Sequence, residues 1–147
     1  MFDVDAHALF VVPCAEGVID ELVVGNAEHG VMALGTRALL VLGGDCDDLR
    51  LAITAGRAQL TMRDAPVSAT QQAVIDRYAT PVARALAVAP PGASDDQVAA
   101  IALQEWVRHS ADRLICHSPM LAELIARGAL HVTKAACHPA TRRIELV

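Results

Sequence analysis

The sequence predicts an α/β domain, a three-layer α/β sandwich around a mostly parallel sheet. Three observations carry that expectation. Ala8–Val12 (ALFVV) and Ala38–Leu42 (ALLVL) are short, continuous apolar runs, as strands covered on both faces require. The stretch between them is patterned as a helix, and a strand–helix–strand order with such a crossover implies parallel pairing in one sheet. Finally, Leu130–Cys137 and Arg143–Val147 read as two strands joined by the turn His138–Arg142, a closing hairpin.

Taken in order, Ala8–Val12 ends at Pro13, and a helix follows to Leu34 with Val24, Ala27, Val31 and Leu34 on one face. Gly35 is its stop, since glycine accepts the left-handed backbone of a helix C-terminus. Ala38–Leu42 runs into a Gly43-Gly44 turn. Leu49–Ala58 reads as helix and Thr61–Ser68 as a polar connection. Ala69–Val88 is a long helical pattern, bent or interrupted at Pro81. After the break at Pro90-Pro91-Gly92, Ser94-Asp95-Asp96-Gln97 matches a capping box that opens a helix to about Ile115. Ser118-Pro119 supplies an N-cap and a first-turn proline, and Gly128 closes that short helix.

A chain of 147 residues, 54% hydrophobic and 20% charged, fits one globular domain over 1–147 with a real core. Aromatics are few (Phe2, Phe10, Tyr78, Trp106), so Ala, Val, Leu and Ile must fill the interior. The net charge of −5 gives no basic footprint for nucleic acid or for a membrane surface. No apolar run nears the roughly 20 residues of a spanning helix, and the acidic N-terminus does not read as a secretory signal. The four cysteines show no CxxC pair, which fits reduced thiols in the cytoplasm.

Three blocks carry a family resemblance. The block from Ala8 to Gly44, ALFVVPCAEGVIDELVVGNAEHGVMALGTRALLVLGG, looks like the second and third strands of the β-class carbonic anhydrases with their connecting helix. HSPMLAELIARGALHVTKAACHPATRRIELV, from His117 to Val147, is similar to that family's C-terminal block. LQEWVRHSADRL, from Leu103 to Leu114, resembles a helix between them. The resemblance implies a β-carbonic-anhydrase-like fold, a dimeric habit and a zinc site that hydrates CO2.

The family's zinc ligands, however, are not where the resemblance would put them. The family's first strand carries Cys-x-Asp-Ser-Arg and should lie upstream of Ala8, where only positions 1–7 stand, so that strand is expected to be missing. The later Gly-His-Ser-x-Cys-Gly reads Gly43, Gly44, Asp45, Cys46, Asp47, Asp48, which leaves Gly44 at the His position and Asp47 at the Cys position. The turn that reads Arg-Asn-Ala-Gly in the family is Pro13, Cys14, Ala15, Glu16.

Zinc needs three or four N, S or O donors at about 2.0–2.3 Å. No inherited ligand remains, so no cofactor is expected. The alternative is zinc on substitutes at the same strand ends, Cys14, Cys46 and Asp47, with Asp45 in reserve. The simpler reading makes the cysteines small apolar residues and the acids solvated groups or helix caps. Cys46-Asp47-Asp48-Leu49-Arg50 matches the spacing C-x-D-x-R, but its strand follows the wrong block, so the match is read as coincidental. Asp48 and Arg50 are still the best catalytic candidates and a candidate salt bridge, beside a pocket of Cys14, Asp45 and Cys46 for a small anion. The six histidines form no H-E-x-x-H motif or Cys/His cluster. Gly43-Gly44 offers backbone N–H groups to an anion, but Asp45, Asp47 and Asp48 would repel phosphate. The expectation is a homodimer or homo-oligomer that has lost hydration chemistry and serves as a binding or structural subunit. A divergent zinc lyase or hydrolase is the alternative.

Overall fold

The computed structural model describes residues 8–14, 18–44, 46–60, 68–138 and 143–147. Helix α1 (Glu21–Leu34) begins where the Asp20 carboxylate accepts the Val23 N–H at 2.9 Å and ends at Gly35, whose φ of 69° needs no Cβ. Strand β1 (Ala38–Gly44) follows, then α2 (Asp47–Leu60) and α3 (Ala69–Val88). Ser68 caps α3 in a reciprocal box with Gln71, and Ser94 does the same with Gln97 for α4 (Asp95–His117). Ser118 caps α5 (Pro119–Ala126), and β2 (His131–His138) and β3 (Arg143–Leu146) complete the described elements.

These strands form a mixed sheet in the order β1-β2-β3. β1 and β2 are parallel, from Ala38 opposite His131 to Gly44 opposite Cys137, and β2 and β3 are antiparallel. The α/β class and the closing hairpin are as the sequence predicts.

Five expectations need correction. Ala8–Val12 is not a strand, and β1 takes β2 as its parallel partner instead. An apolar run makes a strand only where a neighbour completes its hydrogen bonds. Here Phe10 lies instead on α1, its ring 6.2 Å from that of His29 and close over Gly30. Second, β1 is not covered on both faces. Leu39 and Val41 pack into the core, while Leu40 and Leu42 point away and are 41% exposed. Third, Gly43 and Gly44 belong to β1 and are not a turn. Fourth, α3 runs through Pro81 without interruption. Fifth, Gly30 takes the buried place on α1 expected for Leu34, which is exposed. The expected turn over 139–142 and the connection over 61–67 lie outside the described residues.

α4 organises the interior. On one side, its Val98, Leu103 and Val107 meet Leu49 and Ile53 of α2, Tyr78 and Val82 of α3, and Ala136 of β2. Further along, Leu114 joins Val24 and Ala27 of α1, Leu121 of α5 and Leu130 in a second cluster that reaches Leu39. Val41 packs against both. Each fully buried side chain of this size contributes about 1.5–3 kcal/mol. The approach of α4 to β1 depends on Gly43, where a Cβ would sit 2.5 Å from Val107 Cγ2. At Gly44 a Cβ would meet nothing within 4 Å. The carboxyl end of β1 is thus pressed against α4 at one glycine and open at the next.

Candidate functional site

Cys46 sits at the carboxyl end of β1, just before the first turn of α2, and its carbonyl accepts the Arg50 N–H at 3.3 Å. Asp47 and Asp48 occupy that first turn, where carboxylates favour the positive end of the helix dipole. This explains the acids without any ligand. The Cys46 thiol lies 3.5 Å from the hydroxyl of Tyr78, which is 1% exposed. The Tyr78 ring packs on Trp106 with centroids 4.5 Å apart, and Trp106 in turn faces His109 at 6.0 Å. Burial, then the Arg113 and Arg84 charges, lower the His109 pKa against the opposing pull of Asp112. The His109 imidazole is therefore neutral at pH 7.

Arg50 does not take Asp48 as its partner. Residues two apart on a helix do not face each other, and Arg50 Nη1 instead reaches Asp96 Oδ1 on α4 at 2.8 Å. Arg57 makes a parallel tie, its Nε 3.1 Å from Asp95 and its Nη2 donating to the Ala93 carbonyl at 2.7 Å. Both arginines thereby fasten α2 to the start of α4. Sequence reasoning missed Tyr78, Asp95 and Asp96, because contacts over such separations leave no local pattern.

Cys14 lies before α1. It is exposed, and its Sγ is 3.7 Å from the Val12 carbonyl. Partial burial and then the Asp20 carboxylate raise its pKa, so the thiol holds its proton at neutral pH. Among the described residues, no three His, Cys, Asp or Glu side chains converge into a group able to hold a metal. The substitute set Cys14, Cys46 and Asp47 is therefore not brought together. Asp45 lies outside the described residues. None of the four cysteines is disulfide-bonded.

An open groove of about 860 Å³ is lined by Ile19, Asp20 and Glu21 at the start of α1, by Glu28 in its middle and by His117 at the end of α4. His117 Nδ1 donates to the Arg113 carbonyl at 2.7 Å. Glu28 Oε1 accepts from the buried Ser118 hydroxyl at 2.6 Å, and Ser118 Oγ accepts the Leu121 N–H at 3.1 Å. This chain of bonds locks α1 to the first turn of α5, which is a structural role.

No protein-family model and no curated protein matches the chain. Solved structures do. The wild-type β-carbonic anhydrase CafD of the filamentous fungus Aspergillus fumigatus superimposes with TM-score 0.57 at 18% identity, over 88% of this chain and 68% of that one. A tetrameric β-carbonic anhydrase from the filamentous ascomycete Sordaria macrospora gives TM-score 0.60 at 17% identity, over 87% and 60%. The β-carbonic anhydrase CcaA gives 0.58 at 14%, over 84% and 56%. The chain thus spans 56% to 68% of the length of these neighbours. Identity this low carries the architecture and not the activity. The fold of the chain is β-carbonic-anhydrase-like.

Proposed function

We propose that this protein is a β-carbonic-anhydrase-like subunit without the family's zinc site or CO2 hydration activity, serving as a binding or structural component of a homo-oligomer in the cytoplasm. The observation that carries this reading is the end of β1. The positions resembling the family's His and Cys ligands are Gly44, which has no side chain to donate, and Asp47, whose place in the first turn of α2 has a structural explanation. A carboxylate is also a harder ligand than the thiolate it replaces. Without a metal, water keeps a pKa near 15.7 instead of about 7, and no described side chain supplies that shift. The tetrameric Sordaria neighbours support an oligomer, as does the apolar surface left on β1.

The pocket is repurposed in this reading. Cys14, Asp45, Cys46, Asp48 and Arg50 remain its candidate lining for a small anion, with Asp48 and Arg50 the groups that would meet a ligand. The ion pair with Asp96 draws on the Arg50 charge and weakens its pull on an anion. The test is CO2 hydration by protein purified without chelators and then supplied with zinc. The expected rate is that of buffer. A zinc-dependent rate abolished by Cys46→Ala would overturn the reading in favour of a divergent zinc lyase.

A further inference from the structure

The two edges of the sheet are guarded very differently. β3 has only the four residues RIEL and carries Arg143 and Glu145, the charged, short design that discourages pairing with another chain. β1 has seven residues, ALLVLGG, with no charge and no proline, and among the described residues its only strand partner is β2. Among the described residues, its outer edge therefore presents backbone N–H and C=O groups with no ladder, beside the exposed Leu40 and Leu42.

We propose that β1 pairs antiparallel with β1 of a second copy of this chain, about a two-fold axis at Val41, to join the two sheets into one. This rests on the reading of the protein as a homo-oligomer and names the surface that makes it. Two features select a second copy as the occupant. The register centred on Val41 is the one that overlaps all seven residues, and it sets Leu40 against Leu42 of the second copy and Leu42 against Leu40. On the outer face, four exposed leucines become one cross-strand cluster. The ends of the strand are also oppositely charged. Arg37 precedes β1 and is exposed, while Asp47 and Asp48 follow it. Antiparallel pairing brings the basic end of each strand to the acidic end of the other, so the edge is complementary to itself. A parallel strand from another source would gain no such match at both ends.

The test uses the full chain. Light scattering should give a dimer, and Leu42→Lys should weaken it about tenfold or more while circular dichroism stays unchanged, because Leu42 lies outside the core. Mixing Leu40→Cys chains with Leu42→Cys chains under mild oxidation should give a disulfide dimer joining one of each, since directly opposed strand positions fall within disulfide reach. A wild-type monomer would overturn both the oligomer reading and this interface. A dimer that survives Leu42→Lys and forms no mixed disulfide would overturn the interface alone.

Discussion

The core of the helical layer and the outer side of β1 both present large aliphatic side chains, which end in opposite surroundings. Leu49, Ile53, Leu103 and Val107 are each 1% exposed between α2, α3 and α4, while Leu40 and Leu42 on β1 are 41% exposed. The difference lies in what completes each element. A helix satisfies its own backbone and needs only a neighbour for its apolar stripe, which α4 supplies to α2 and α3 alike. A strand leaves its edge groups unpaired unless another strand, or water, takes them, and its two faces are covered or exposed independently. Among the described residues β1 has one strand partner, β2, and one packed face, and its other side carries the exposed Leu40 and Leu42.

The contrast breaks most visibly in the helical layer. Leu103→Ala should cost about 2–5 kcal/mol, read as a loss of denaturation midpoint at unchanged slope, because a buried Leu leaves a cavity that the packed helices cannot close. A loss below about 1 kcal/mol would mean that the layer is loosely packed.

The adjacent glycines sharpen it next. Gly43→Ala should destabilise by roughly 1–3 kcal/mol, since the new methyl would lie 2.5 Å from the stiff, branched Val107. Gly44→Ala should be neutral or stabilising by about 0.4–1 kcal/mol, because the position is open and alanine narrows the unfolded ensemble. Equal effects at the two positions would show that β1 does not press on α4 as described.

The smallest effect concerns His109. Its folded pKa lies below the ordinary 6.5, so in acid the unfolded chain binds the proton more readily than the folded one. The stability this neutral imidazole supports is complete above 6.5 and declines as pH falls through that value. His109→Gln should flatten the pH dependence of the thermal midpoint below that point, and an unchanged profile would count against the assignment.

Helix starts were legible because their chemistry is local. Ser94 and Gln97, or Ser118 and Pro119, name their positions within a few residues. Strand pairing was less so. ALFVV and ALLVL look alike as text, yet only the second is a strand, because a distant segment, His131–His138, completes it. The same holds at the candidate site. The stretch from Gly43 to Arg50 could be read as an altered metal strand, but the contacts of Cys46 with Tyr78 and of Arg50 with Asp96 join positions far apart in the chain. Nor did the Gly-Gly pair announce that one glycine admits α4 and the other leaves space.

Equilibrium dialysis of the full chain against buffered zinc asks whether the end of β1 holds the metal that we propose it cannot. The expected result is no stoichiometric zinc at low micromolar free metal and no change in binding on Cys46→Ala or Asp47→Asn. One zinc per chain, lost in either variant, would contradict it.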